Sequence, residues 1–120
     1  MAYIDGFLLA VKADRKDAYR EIAQMMWPIF RDHGAIATSE CWQDDVPEGE
    51  VTSFPMAVQR EADEVVVFSW IEWPDKATRD AGNRAVFEDP RFEGYEFDRS
   101  VLDPTRMVLG GFEVLFRPSG

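Results

Sequence analysis

The stretch VVVFSWIEWPDKATRDAG, residues 65–82, decides the fold of this chain. Seven of its first nine residues are large and apolar or aromatic, so the strand that they predict has two apolar faces. Pro74 and Asp75 then change the pattern to that of a helix, with Asp75 as the N-cap. A strand with two apolar faces needs cover on both sides, which one small chain supplies with difficulty.

The sequence on either side predicts three more strands and one more helix. Apolar runs indicate strands over residues 3–11, 35–43, 64–73 and 106–116. Apolar residues at three- and four-residue spacing indicate a helix from the N-cap Asp14 to about His33, with Gly34 as its C-terminal stop. Pro28 lies inside this helix, so we expect a kink or a break there.

The second predicted helix begins at Asp75 and ends at Asp89, because a residue before proline avoids helical backbone angles. It carries three alanines at four-residue spacing, Ala77, Ala81 and Ala85. A stripe of small side chains would allow this helix to lie close to a sheet.

The resulting order, βαββαβ, is typical of an α+β, ferredoxin-like sandwich. We expect one domain over residues 1–120, with the first and third strands central and parallel, and with both helices on one sheet face. The third strand, however, is apolar on both faces. The simplest cover for the second face is another copy of the chain, which predicts a homodimer that packs sheet on sheet.

Composition and charge narrow the classes of partner. The chain has 13 basic and 23 acidic residues, a formal net charge of −10, which disfavours nucleic acids and anionic membranes as partners. One cysteine, Cys41, suits a reducing compartment, and we expect a cytoplasmic protein in which this thiol is buried and inert. Nothing resembles a secretory signal, and no apolar run is long enough to span a membrane.

Four blocks of sequence resemble the DUF1428 family of small bacterial proteins. They are DGFLLAV at 5–11, ECWQDDVPEGEVTSFP at 40–55, VVFSWIEWPDKATRDAG at 66–82 and GGFE at 110–113. The resemblance implies a dimeric α+β barrel, in which ferredoxin-like subunits pair their sheets, and it implies no established activity. The run SVLDPTR at 100–106 departs from the Met-Pro-Phe-Asp-Gly-Lys-like run common in that family.

Two glutamates are the main candidates for catalysis. Glu72 follows Trp70 on one strand face, and Glu40 and Trp42 share a face in the same way. If the second and third strands pair in register, both carboxylates and both tryptophans would line one pocket. A carboxylate among aromatic rings has a raised pKa and can transfer a proton. Alternatively, Glu72 ends its strand in solvent or pairs with an arginine.

The remaining candidates have structural alternatives. His33 is a third catalytic candidate, although a cation at a helix C-terminus is favoured by the helix dipole alone. Arg79, with Asp80 next to it, is a candidate for binding a ligand, as are Trp42 and Trp70; alternatively it forms a surface ion pair. No spacing indicates a metal or a cofactor, and the acidic residues of 44–50 suit a solvated loop.

These observations favour a homodimer that binds a small apolar or aromatic ligand without catalysis. The alternative is a cofactor-independent enzyme, oxygenase- or isomerase-like, that uses pocket carboxylates; this rests on analogy between folds. A closed pocket that contains Glu40, Glu72 or His33 would favour the enzyme.

Overall fold

The computed structural model describes residues 2–118 and has an α+β architecture. Its elements are β1 (Tyr3–Lys12), α1 (Lys16–Asp32), β2 (Ala37–Trp42), α2 (Phe54–Ala57), β3 (Glu64–Trp73), α3 (Lys76–Glu88) and β4 (Val108–Glu113). With the one-turn helix α2 set aside, the order is βαββαβ, as predicted. All four predicted strands are confirmed, and the bounds of β3 agree at both ends.

The four strands form one sheet in the order β2-β3-β1-β4. The first and third strands are central, as predicted, but the prediction that they run parallel is wrong. β1 pairs with β3 in antiparallel register, with Tyr3 opposite Trp73 and Lys12 opposite Glu64. In a split βαβ unit the two parallel strands are β1 and β2, and β3 inserts between them in the opposite direction.

The ends of the helices agree only in part with the sequence. Asp75 caps α3 by accepting a hydrogen bond of 2.7 Å from the amide of Thr78, and Gly34 has φ +113° just after α1, as a C-terminal stop requires. Asp14 is not the cap of α1, because it lies in a one-turn 3₁₀ helix that precedes Lys16. α1 also continues unbroken through Pro28.

The alanine stripe does not face the sheet. Ala77 and Ala81 are exposed, and α3 approaches the sheet through the buried Gly82 and Val86. A Cβ atom at Gly82 would overlap the ring of Trp73, so the absence of a side chain permits this close approach. The helix is therefore turned by one residue from the orientation that alanine spacing predicts.

The core between the helices and the sheet forms two clusters. One contains Leu9, Val11, Tyr19 and Leu102, and the other contains Tyr3, Ala35, Ile71 and Trp73. Phe7 packs against both clusters from the centre of β1. The space between the two clusters is the place where a cavity forms.

The opposite face of the sheet is covered in part by α2 and the residue that follows it. Val58 is fully buried against Ala10 and Val66, and Phe54 packs edge-to-face on Phe68. The rest of this surface, which we call the open sheet face, exposes Phe68, Val108 and Phe112 and half-buries Trp70. Cys41 is also exposed, contrary to the prediction of a buried thiol, because β2 is an edge strand.

Candidate functional site

A cavity of about 720 Å³ lies between the sheet and the helices α1 and α3, and it is open to solvent. Its walls are mainly apolar and include Phe7, Leu9, Ile22, Trp27, Val67 and Phe97. Each strand contributes alternate residues, those on the sheet face that the helices cover, since side chains of a strand alternate between its faces. The cavity thus joins an apolar interior to a few polar side chains, which form two groups.

The first polar group is a tyrosine–glutamate pair. The Tyr19 hydroxyl on α1 donates a hydrogen bond of 2.6 Å to Oε2 of Glu40 on β2, and Ser69 lies opposite Glu40 on β3. Glu40 is an exposed residue that water reaches from the cavity, and the cavity walls displace only part of the water around its carboxylate. This desolvation raises the pKa of Glu40, and the hydrogen bonds from Tyr19 and Ser69 oppose the change.

Tyr19 differs from Glu40 in exposure, because only 7% of its surface is accessible. Burial, followed by the nearby charge of Glu40, raises the pKa of the Tyr19 phenol far above its usual value. The phenol therefore keeps its proton at physiological pH and acts as a hydrogen-bond donor. The pair offers the cavity a carboxylate that the Tyr19 hydroxyl holds in position.

The second polar group surrounds Asp5, a carboxylate with 4% of its surface exposed. Its oxygens accept hydrogen bonds from Trp73 Nε1 at 3.0 Å, from Arg79 Nε at 3.0 Å and from Asn83 Nδ2 at 3.4 Å. Arg79 also contacts Asp80 at 3.0 Å. These two carboxylates, Asp5 first, raise the pKa of Arg79.

The structure brings three of the candidate residues to the cavity. Glu40, Trp42 and Arg79 all line it, and the ammonium of Lys16 lies 5.5 Å from the centre of the Trp42 ring. Arg79 forms ion pairs with Asp5 and Asp80, but the pair with Asp5 is buried and not at the surface as the alternative had it. The guanidinium remains part of the cavity wall.

Glu72 and Trp70 lie elsewhere. Glu40 stands opposite Ser69, and Glu72 stands opposite Ala37, so the register places the two glutamates on opposite faces of the sheet. The pocket with two carboxylates and two tryptophans is therefore not formed. On the open sheet face, Arg117 donates two hydrogen bonds of 3.0 Å to Glu72, in agreement with the arginine-pairing alternative.

His33 does not line the cavity. It ends α1, as predicted, and its Nε2 lies 2.8 Å from Oδ2 of Asp89. Hydrogen bonds from Arg91 and then His33 hold the pKa of Asp89 well below its usual value. These contacts link the end of α1 to the segment after α3. They give His33 a structural role.

Sequence reasoning missed Asp5 and Tyr19. A signal was present for Asp5, because a carboxylate inside an apolar central strand needs buried partners. For Tyr19 the helical spacing indicated a core residue, and its contact with Glu40 spans 21 positions, which local patterns do not encode.

Across residues 2–118, no cluster of three or more histidine, cysteine or acidic side chains is arranged to hold a metal ion. Within the same residues, none of the helices combines the length and apolar character needed to cross a membrane.

Comparison with known proteins shows the family. Residues 2–103 match the family model described as "Protein of unknown function (DUF1428)". "Uncharacterized protein YbaA" of Escherichia coli strain K12 is 54% identical over 114 residues, which cover 94% of this chain and 96% of that protein. The family predicted from the four sequence blocks is therefore confirmed.

Solved structures with the same fold are more distant. An uncharacterised NIPSNAP domain protein from Burkholderia xenovorans covers 98% of this chain and 99% of its own, with TM-score 0.59 and 16% identity. A "dimeric ferredoxin-like protein" from an uncultured marine organism covers 98% of this chain and all of its own, with TM-score 0.56 and 14% identity. At these identities the likeness shows the fold alone, and the predicted ferredoxin-like α+β fold is confirmed.

Proposed function

The chain belongs to the DUF1428 family, and we propose that it forms a cytoplasmic homodimer that binds a small apolar or aromatic molecule without catalysis. The observation that carries this proposal is the cavity of about 720 Å³ between the helices and the sheet. Ligand sites are typically clefts of about 300–1,000 Å³ with mostly apolar walls and a few placed polar groups. The cavity agrees with that description in size and in character.

The aromatic residues of the wall favour a ligand with a flat, apolar body. Trp27, Trp42, Phe87 and Phe97 all contribute to the cavity surface. Aromatic rings stabilise one another in offset or edge-to-face contacts, by about 0.5–1.5 kcal/mol beyond the effect of area burial. A bound aromatic molecule would also remove the apolar wall of the cavity from water.

The open sheet face supports the homodimer. Phe112 exposes 62% of its surface and Phe68 exposes 46%, beside the half-buried Trp70. Leu115 and Phe116 follow β4 and expose 97% and 81%. A second copy would cover these side chains by packing sheet on sheet, about 10 Å apart. The description of one structural neighbour as dimeric agrees with this arrangement.

One observation favours an enzyme as the second candidate. Glu40 has a raised pKa and lies in the cavity, which is the arrangement of a general acid or base. Glu72 lies on the other sheet face, so such an enzyme would rely on one cavity glutamate. A single carboxylate can transfer a proton, so the reaction class that fits is a cofactor-independent isomerisation in which Glu40 moves a proton.

Binding of N-phenyl-1-naphthylamine, an uncharged dye that fluoresces in apolar sites, tests the proposal. Ala23 lines the cavity from α1, so Ala23→Trp fills it, whereas Ala81→Trp adds the same ring on the exposed face of α3. We expect Ala23→Trp to weaken dye binding at least tenfold, and Ala81→Trp to leave it within about twofold. Equal binding by all three proteins, or no binding by wild type, would contradict the proposal.

A second experiment separates binding from catalysis. Native mass spectrometry of freshly purified Glu40→Gln protein is used to find a retained molecule, which is then extracted and incubated with wild type. Recovery of the unchanged molecule by chromatography supports binding alone. Conversion by wild type but not by Glu40→Gln would favour the enzyme.

A further inference from the structure

We propose that the Tyr19–Glu40 pair is the recognition point of the cavity for an uncharged aromatic ligand that carries a hydroxyl or N–H donor. This inference rests on the proposed ligand-binding function and names the class of ligand that the cavity would take. Phenols and naphthols are its simplest representatives. Three properties of the cavity carry the inference: an acceptor, a balance of charge and an aromatic wall.

The acceptor is the carboxylate of Glu40. The Tyr19 hydroxyl occupies one acceptor position on Oε2, at 2.6 Å. An ionised carboxylate has about four such positions on its two oxygens, so positions remain for a ligand donor beside those that Tyr19 and Ser69 use. The Tyr19 bond also fixes the orientation of the carboxylate before a ligand arrives, which lowers the entropic cost of binding.

The charges around the cavity favour an uncharged donor over an anion. The charge of Arg79 is balanced by Asp5 at 2.8 Å and by Asp80 at 3.0 Å. The other cations of the wall, Lys16 and Arg20, are exposed, where water and salt screen them. Glu40 is exposed as well, but its carboxylate is held inside the cavity by the buried Tyr19 hydroxyl. An anionic ligand would therefore bring a like charge beside the carboxylate of the pair, without a matching buried cation.

The aromatic wall next to the pair selects the body of the ligand. Trp42 lies two residues after Glu40 on the same face of β2, and Val67 stands opposite Trp42 on β3. Both side chains line the cavity together with Leu9. A ring held against this wall places a hydroxyl or N–H substituent within reach of Glu40, while its apolar body displaces water.

Displacement of N-phenyl-1-naphthylamine by three matched compounds tests the inference. 2-Naphthol can donate a hydrogen bond, 2-methoxynaphthalene has nearly the same body without a donor, and 2-naphthoate is an anion. A hydrogen bond to a charged group is stronger than one between neutral groups, and its loss is expected to weaken binding by at least about tenfold. We expect 2-naphthol to displace the dye at least tenfold better than 2-methoxynaphthalene, with 2-naphthoate the weakest.

Variants test whether the preference for 2-naphthol depends on the Tyr19–Glu40 pair. Glu40→Leu is expected to remove the preference for 2-naphthol while dye binding remains, and Glu40→Gln to reduce it, because the amide keeps one acceptor oxygen. Glu21→Leu makes the same substitution at an exposed position of α1 and should keep the preference.

The experiment distinguishes failure of this inference from failure of the proposed ligand-binding function. Absence of dye binding, or dye binding that ignores Ala23→Trp, contradicts the ligand cavity itself. Cavity binding of the dye with equal displacement by 2-naphthol and 2-methoxynaphthalene contradicts only the recognition of a donor. Strongest displacement by 2-naphthoate would identify an anion site and overturn the inference, and this wild-type comparison holds even if a Glu40 variant fails to fold.

Discussion

The indole nitrogen of Trp73 donates a hydrogen bond of 3.0 Å to the Asp5 carboxylate, and this bond joins the two central strands inside the protein. Trp73 is fully buried, and Asp5 is nearly so. The same carboxylate binds Arg79 and Asn83 of α3, so one side chain connects the sheet to the helix. The position of α3, and with it one wall of the cavity, depends on this contact.

Asp5→Ala is expected to destabilise the protein by about 3 kcal/mol, because it leaves the buried Trp73 indole and part of the Arg79 guanidinium without an acceptor. Asp80→Ala removes the other carboxylate that contacts Arg79, at a more exposed position, and should cost less than about 1 kcal/mol. Urea unfolding gives both values. Equal losses in the two variants would show that burial of Asp5 is not decisive.

Gly82→Ala is expected to destabilise the protein despite the higher helix propensity of alanine. The added methyl group would overlap the Trp73 ring and approach the backbone oxygen of His33 at 2.7 Å. Overpacking of this kind costs about 1–3 kcal/mol, which outweighs the propensity gain of about 1 kcal/mol. Ala81→Leu, one position earlier on the exposed face, adds more atoms and should change stability little. A stabilised Gly82→Ala variant in thermal unfolding would contradict the close contact.

Local patterns were sufficient to predict the four strands, the two long helices and the fold class, but not the short helix α2 or the antiparallel direction of β3. The bounds of β3 and the cap at Asp75 follow from strand periodicity and helix-capping chemistry within a few residues. The orientation of α3 does not, because alanine spacing is visible in the sequence whereas the position of Trp73 beneath Gly82 requires the tertiary structure.

The candidate site was predictable only where it lies on one element. Glu40 and Trp42 share a face because they are two residues apart on β2, and they reach the cavity together. Whether Glu72 joins them depends on strand register, and a shift of one residue reverses every side chain of a strand. That register is set by long-range packing, so Glu72 could equally have faced the cavity until the structure paired it with Ala37.

The stability of the protein is expected to depend on pH through Glu40. Desolvation raises the pKa of Glu40 in the folded state above its ordinary value of 4.5, so protonated Glu40 favours the folded state. This contribution to stability is complete below the ordinary pKa and is lost as the pH rises through the folded-state pKa. Glu40→Gln stays neutral, and its stability relative to wild type should therefore increase between about pH 4 and about pH 7. The groups that face Glu40 are Tyr19 and Ser69, and the other charged residues around the cavity are Asp5, Lys16, Arg20 and Arg79.

Tyr19→Phe tests the titration of Glu40 in a second way. It removes a hydrogen bond that lowers the pKa of Glu40, so the stability of this variant should fall more steeply with rising pH than that of wild type. Urea unfolding of the three proteins at both pH values measures the differences. A Glu40→Gln difference that stays constant with pH would contradict the raised pKa.

Phe112→Asp is expected to dissociate the proposed dimer. The Phe112 ring lies over Gly6 and Gly110 on the open sheet face, where it would contact the second copy. A buried, unpaired carboxylate is strongly unfavourable in such an interface.

Val51→Asp introduces the same charge at a loop position with 96% of its surface exposed, and it should leave assembly unchanged. Sedimentation equilibrium at micromolar concentration should give twice the chain mass of 13.8 kDa for wild type and Val51→Asp, and 13.8 kDa for Phe112→Asp. Wild type at the single-chain mass would contradict the homodimer, whereas dimers of all three proteins would place the interface on another surface.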